Sequence, residues 1–286
     1  MSETISFFPS GGELIAGPGG VFPEEGRHVL HGFFKIDRPA WEDLDASERR
    51  SGRETFLATV TRIASRENTQ LLLFSNVGPK ADWGFMLLTD DLHFLDQAGK
   101  DLEHALGPGI SEAVFGWFSM TERSEYTTSE EEYAKSLEAD EGIATGSPAM
   151  EEKLAAFRAR MAKYGKDRLY PNLPDWPVMC FYPMSKRRQT GQNWYALDFE
   201  TRKELMKGHA RVGRKYSGRV LQLITGSTGL DGEEWGVTLF AHSTTPIKEI
   251  VYEMRFDPVS ALYAEFGDFY IGLRMPAAAL LARLRL

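Results

Sequence analysis

Hydrophobic and polar positions divide this chain into two similarly patterned stretches separated by a polar one. Apolar runs at His28 to Ile36, Gln70 to Ser75, Ala81 to Thr89 and Glu112 to Met120 have the length and composition of strands. Between them, Asp45 to Ser65 and Asp91 to Leu106 read as helices, the second stopped by Gly107-Pro108. The predicted order is βαββαβ. The same order returns after residue 176. Pro177 to Met184 reads as a strand, Asp198 to Tyr216 as a helix, and Arg219 to Thr225 and Glu234 to His242 as strands. Thr244 to Phe256 and Ala261 to Phe266 carry helical and mixed signals, and Gly267 to Leu273 reads as a strand.

Two anchors mark this as an internal repeat. Trp83-Gly84 returns as Trp235-Gly236, an offset of 152, and Phe115-Gly116-Trp117-Phe118 returns as Phe266-Gly267-Asp268-Phe269, an offset of 151. Each unit has the order of a split, ferredoxin-like pair of βαβ motifs. The expected fold is therefore α+β: two fused ferredoxin-like repeats forming a dimeric α+β barrel-type subunit. Residues 1–26, rich in Gly, Pro and Phe, read as an irregular arm, 27–122 as the first repeat and 123–167 as an acidic linker with two helical stretches. Residues 168–275 read as the second repeat and 276–286 as a tail.

The net charge of −8 is unevenly placed. Thr121 to Glu152 holds ten acidic and two basic residues, and Lys186 to Arg219 holds ten basic and three acidic ones. A single basic segment in an acidic chain argues against general nucleic-acid binding and suits a site for a small polyanion, or a solvated helix face. Apolar runs are too short to span a membrane, the first ten residues lack a basic leader, and one cysteine, Cys180, makes no internal disulfide. These features favour the cytoplasm.

The chemistry concentrates in the second repeat. The first offers His28, His31, His93 and His104 without metal-ligand spacing, and the chain has no Walker loop, GxSxG elbow or Cys/His zinc pattern. Leu205, His209, Val212 and Tyr216 share one helical face, which is expected to be buried. A buried neutral imidazole needs an acceptor or a metal. His209 is thus either a satisfied core histidine or the single axial ligand of a heme, with Gly208 giving a flat macrocycle room. Tyr182, at the end of a strand that releases Lys186-Arg187-Arg188, is an anion-site tyrosine or a core aromatic before a solvated loop. Gln222, in an apolar strand, faces solvent or is buried with partners. Arg255 and Ser260 are anion contacts or helix-surface groups.

Several stretches together carry a family resemblance. They are Tyr182-Pro183-Met184-Ser185-Lys186-Arg187-Arg188, Asn193-Trp194-Tyr195, Leu205-Met206 through His209 to Tyr216, Ile224 to Asp231, Glu234 to Phe240, and Val251 to Asp257 with Phe266-Gly267. They resemble the chlorite dismutase-like superfamily, in particular its coproheme decarboxylase branch. The resemblance is strong from Tyr170 to Gly272, weaker from about Arg27, and fails over residues 1–26 and most of 121–165. It implies His209 as axial ligand of the iron, Tyr182 as the redox-active tyrosine with Lys186 beside it, and Gln222 on the distal face. Arg168, Tyr182, Pro183, Met184, Ser185, Lys186, Arg255 and Ser260 would hold propionates. Iron coproporphyrin III would be substrate and redox centre, hydrogen peroxide the oxidant and heme b the product. A homopentamer is implied, with transient contact to a coproporphyrin ferrochelatase and no nucleic-acid or membrane partner. Chlorite dismutases resemble one another in an arginine at the Gln222 position. Chlorite dismutation, heme peroxidation or a heme carrier or sensor are the alternative readings.

Overall fold

The computed structural model describes residues 19–286. Most of the expected arm lies outside that range. The first repeat comprises β1 (His28–Ile36), α1 (Arg38–Asp43), α2 (Ala46–Ala64), β2 (Gln70–Val77), β3 (Trp83–Thr89), α3 (Leu92–His104) and β4 (Ser111–Thr121). Two helices follow, α4 (Glu130–Glu141) and α5 (Pro148–Leu169). The second repeat comprises β5 (Val178–Lys186), a small hairpin of β6 (Arg188–Gln189) and β7 (Gln192–Asn193), and α6 (Phe199–Arg214). It continues with β8 (Val220–Gly226), β9 (Trp235–Ala241), α7 (Thr244–Met254), α8 (Pro258–Tyr263), β10 (Ala264–Phe266) and β11 (Tyr270–Arg274). A last helix is α9 (Ala277–Leu284).

Within the halves the strand orders are β4-β1-β3-β2 and β11-β5-β9-β8, the same ferredoxin-like arrangement twice. Edge meets edge at both ends, β2 with β11 and β4 with β8, so the paired strands close into a barrel. The two seams are unequal. β11 and β2 pair over four positions, from Ile271↔Val77 to Arg274↔Phe74, whereas β4 and β8 pair only at Met120↔Gly226 and Thr121↔Thr225.

Side chains alternate across each strand, so one set fills the barrel and the other meets helices. Phe33, Phe74, Trp117, Phe181 and Phe240 pack inside. His31 is buried with them, stacked on Phe181 at 4.0 Å with Nε2 3.0 Å from Thr238 Oγ1. Burial pushes its pKa down to about 3, so this imidazole is neutral.

The two outer faces differ in what fills them. In the first repeat Phe34, Trp83, Phe85 and Leu87 pack with Trp41, Phe56 and Leu102 into a continuous aromatic and aliphatic core. In the second, Val178, Cys180, Tyr182, Val237 and Leu239 pack with Tyr216, Ile247, Ile250 and Met254. Gln222 shares that face, alternating with the inward-facing Leu221 and Leu223.

Three details depart from the reading of the sequence. Helix α1, unseen in the periodicity, is a short turn capped by Asp37 with Pro39 in its first turn, and it buries Trp41. The expected tail is α9, which buries Leu280, Leu281 and Leu284 in the first repeat's core. The acidic linker forms the two helices read from the sequence and, beyond that reading, packs them on a small core of their own, Leu137, Met150 and Leu154. Its Glu132 forms an ion pair with the buried ammonium of Lys203 on α6. The hydrogen bond from Lys203 holds the Glu132 carboxyl down at about 2.

Candidate active site

The outer face of β5, β9 and β8 beneath α6, α7 and α8 gathers most of the chemistry-bearing residues. Tyr182 lies directly across from Val237, and Ile224 lies beyond it, so these three make one row across the sheet. Cys180, Leu239 and Gln222 make the next row. Tyr182 and Gln222 therefore stand two strands and one row apart, on the order of 12 Å diagonally.

Helix α6 crosses above them. Its stripe of Leu205, His209 and Val212 is half-buried, not sealed as its apolar spacing predicts, and only Tyr216 at its end is buried. The His209 Nδ1 lies 3.0 Å from Asp257 Oδ2. Asp257 is the N-cap of α8: its Oδ1 accepts from the Val259 and Ser260 amides at 2.9 and 3.4 Å, and its Oδ2 also accepts from Ser260 Oγ at 3.0 Å. Burial pushes the Asp257 carboxyl up, but the bonds from His209 and Ser260 outweigh this and hold it below its ordinary value. An ionised Asp257 requires Nδ1 of His209 to be the donor. That leaves Nε2 of the neutral ring with a lone pair, the tautomer and orientation a metal-ligating histidine needs. The site can thus offer one imidazole to an iron whose other ligands come with a macrocycle. No group of three or more His, Cys, Asp or Glu among the described residues forms a metal site by itself.

Tyr182 is almost fully buried, stacked on Phe269 at 4.4 Å with Phe266 at 5.7 Å. Among the described residues no hydrogen-bond partner reaches its hydroxyl. Burial pushes its pKa up, against a smaller opposing pull from Arg255, so the phenol keeps its proton. The Arg255 guanidinium lies 3.8 Å over the Phe266 ring. Lys186 is buried with its ammonium 4.5 Å over Trp194. Burial pulls its pKa down to about 8, partly countered by Asp257 and Glu234. Pro183 interrupts the strand without leaving an orphan. Its carbonyl accepts from the Gly267 amide, so its missing N–H points at the gap between β10 and β11, where no ladder bond is due.

The remaining expected site residues divide. Met184 and Ser185 serve the turn at Glu234: the Met184 carbonyl and Ser185 Oγ both accept from the Glu234 amide, at 3.1 and 3.3 Å. Glu234 in turn accepts from the Lys186 amide at 2.7 Å. Ser260 donates its hydroxyl proton to Asp257, which ties it to the histidine. Arg168 is not brought to Tyr182. It sits in the last turn of α5, and its Nε donates to the Glu122 carbonyl at 3.1 Å beside the β4–β8 seam. The link back is indirect: Glu122 accepts from Trp235 Nε1 at 3.2 Å, and Trp235 pairs with Met184. Gly208 opens onto space, and the close approach of α6 to the sheet is at Gly213, where a Cβ would stand 3.2 Å from Gln222 Nε2.

Asp257, Glu234, Trp194 and Phe269 carry parts of this arrangement that chemistry-by-residue reasoning passed over. Asp257-Pro258 before an apolar turn is a readable helix start, and that capping signal could have found Asp257.

Comparison with known proteins decides the lineage. The family model described as chlorite dismutase matches residues 49–275. The chain belongs to the chlorite dismutase family. Two relatives, from Natronomonas pharaonis and Halobacterium salinarum, are each named "Putative heme-binding protein" and share 41% identity over 254 residues and 38% over 260. The alignments cover 87% and 90% of this chain but 39% and 49% of those proteins, so the chain spans less than half the length of these curated relatives. A solved structure described as a novel heme-binding protein from Thermus thermophilus superposes with a TM-score of 0.76 at 35% identity, covering 92% of this chain and 96% of that one. A chlorite dismutase variant from Candidatus Nitrospira defluvii superposes at 0.69 with 16% identity, covering 92% and 98% of the chains, and so shares the fold. Within this chlorite dismutase-family chain, the candidate site lies wholly in the matched region, and no helix of the described residues is long and apolar enough to cross a membrane.

Proposed function

We propose that the protein binds iron coproporphyrin III and uses hydrogen peroxide to convert two of its propionates to vinyl groups, giving heme b. The observation that carries this reading is Tyr182: a buried, neutral phenol with no hydrogen-bond partner among the described residues, four positions along β5 from Lys186 and within the field of Arg255, on the face that α6 crosses. A carrier has no use for an oxidisable side chain secluded in this way. Gln222, where a chlorite enzyme is expected to carry an arginine, offers an amide and no charge to a chlorite anion.

The chain's own residues fit the substrate. His209, aligned by Asp257, would hold the iron through Nε2. Lys186 and Arg255 would face propionates, and Ser185 lies at the same strand end. Once bound, the iron macrocycle supplies the redox chemistry with peroxide. Tyr182 would give up an electron and its proton, then take a hydrogen atom from a propionate β-carbon. Loss of carbon dioxide and one further electron leaves the vinyl group. For each propionic side chain, one peroxide is consumed and one carbon dioxide and two waters leave. Lys186, with a pKa near 8, would hold the carboxylate and move its proton. A cytoplasmic homopentamer, handed its substrate by a ferrochelatase, completes this proposal.

The test is mass spectrometry of the porphyrin after mixing protein, iron coproporphyrin III and peroxide. Stepwise loss of two carboxyl groups is expected. An unchanged porphyrin mass overturns the reading in favour of a carrier, and sustained oxygen release from chlorite by the heme-loaded protein overturns it in favour of chlorite dismutation.

A further inference from the structure

A second pocket lies on the first repeat, at the junction of α1, α2 and α9, away from the face that holds His209. Its volume is about 460 Å³, and it is lined by Arg38, Trp41, Glu42, Arg49, Arg283, Leu284 and Arg285. Four guanidiniums meet one carboxylate. Among the described residues none of the four forms an ion pair, although exposed arginines elsewhere on this acidic chain, such as Arg62, Arg123 and Arg158, do. Four like charges gathered against a single carboxylate repel one another.

Helix-end chemistry accounts for only part of this cluster. Arg38 donates to the Leu284 carbonyl, and Arg283 lies in the last turn of α9, where a cation complements the helix dipole. Arg49 and Arg285 have no such duty. Arg285 is the telling residue. It occupies the C-terminal cap of α9 in the left-handed conformation, with φ of 59°, where glycine is the ordinary choice. An L-residue with a long side chain at that position is strained, and what it contributes is a guanidinium on the pocket wall.

We propose that this pocket binds a compact multivalent oxyanion, of the charge and size of pyrophosphate or a tricarboxylate. Guanidinium forks match carboxylate and phosphate oxygens in pairs, and the volume lies within the range of small-ligand sites, roughly 300–1,000 Å³. Trp41 is buried beneath the arginines and offers no open ring face, so the recognised part is the anionic group and not an aromatic ring.

Calorimetric titration with pyrophosphate and, separately, citrate, against sodium chloride of matched ionic strength, tests the site. Binding of either anion with one-to-one stoichiometry is expected. Preference for pyrophosphate identifies a phosphorylated ligand, and preference for citrate a polycarboxylate. Arg49→Gln and Arg285→Gly should each weaken that binding by about tenfold, the loss of one charge-assisted contact. Arg285→Gly also relieves the strained cap, so it should melt no lower than the parent while binding less, which separates lost recognition from lost folding. Absence of binding to the parent protein, or binding that both variants retain, overturns the proposal. In the second case the anion sits elsewhere, and the basic segment around Lys186 is the place to look.

Discussion

The Gln222 side-chain amide meets helix α6 at Gly213, one turn beyond His209, and at that level helix and sheet are held apart by little more than a glycine's missing side chain. An added Cβ would find its nearest neighbours at 3.2 Å (Gln222 Nε2) and 3.4 Å (Met254 Cε), both flexible ends that can move. Gly213→Ala should therefore gain the helix preference of alanine, about 0.5–1 kcal/mol, while taking up the space between α6 and Gln222. The expected outcome is a higher melting temperature with weaker porphyrin binding. Thermal melts and spectral titration with iron coproporphyrin III check both halves, and a variant that gains or loses in both contradicts binding of the porphyrin between α6 and the sheet.

Asp257 joins the start of α8 to the His209 ring, so its charge and its capping role can be separated. Asn caps a helix as well as Asp does, but it withdraws the negative charge from Nδ1. Asp257→Asn should leave stability within about 1 kcal/mol and weaken iron ligation about 10–100-fold, in line with other losses of a carboxylate behind a metal-bound histidine. His209→Ala should abolish the axial bond. The visible spectrum of the loaded protein reports both. An unchanged spectrum in His209→Ala would falsify the ligand assignment.

Tyr182→Phe removes a hydroxyl that no group among the described residues bonds. Folding should lose little, within about 0.5 kcal/mol. Porphyrin binding should persist, since one lost charge-assisted hydrogen bond to a propionate is worth roughly 1–3 kcal/mol. Turnover should stop. Product mass after stoichiometric peroxide decides: near-parental yields of heme b would move the radical relay to Trp194 or Trp235.

Lys186 has a pH signature. Its folded-state pKa near 8 lies below the ordinary 10.5 because burial disfavours the ammonium. Below pH 8 both folded and unfolded chains are protonated, and the full cost of the buried charge is present. Between pH 8 and 10.5 the unfolded chain binds the proton that the folded one has released, so stability rises with pH. Lys186→Met should accordingly be more stable than the parent at pH 7, by on the order of 1–3 kcal/mol, with the gap closing towards pH 10.5. Denaturant melts at about pH 7 and pH 10 measure it. A variant less stable at neutral pH would show that Trp194, Asp257 and Glu234 hold the ammonium more strongly than burial opposes it.

Much of the fold was legible because it is periodic. Strand β1 was bounded to the residue, and the Trp-Gly anchors fall on β3 and β9, equivalent strands of the two halves. Closure was less legible, since it depends on which edges meet, and a two-pair seam such as β4–β8 leaves no pattern in either strand. In the site, His209 and Gln222 stood out as polar groups on apolar faces, and Tyr182 and Lys186 as a strand-end tyrosine followed by a basic cluster. Arg168 did not follow, because its place is set by the inserted α5 and not by the repeat. Gly208 drew attention by adjacency to His209, yet a helix turns about 100° between neighbours, and Gly213, four residues on, shares the histidine's face. Asp257 was hidden by doing two jobs with one side chain.

The gap between β10 and β11 sets the surroundings of Tyr182. Phe266 and Phe269 are three positions apart, and along an unbroken strand their rings would point to opposite sides of the sheet. The break at Gly267-Asp268 turns both onto Tyr182. Straightening this segment at its present length would return one ring to the barrel and admit water to the phenol, whereas deleting Asp268 would bring the two phenylalanines to the spacing that keeps both on one side. In the first case the tyrosine would titrate and oxidise like one on the protein surface. Its seclusion is a property of backbone phase, written in Gly267 and Asp268, whose side chains are not part of the stack.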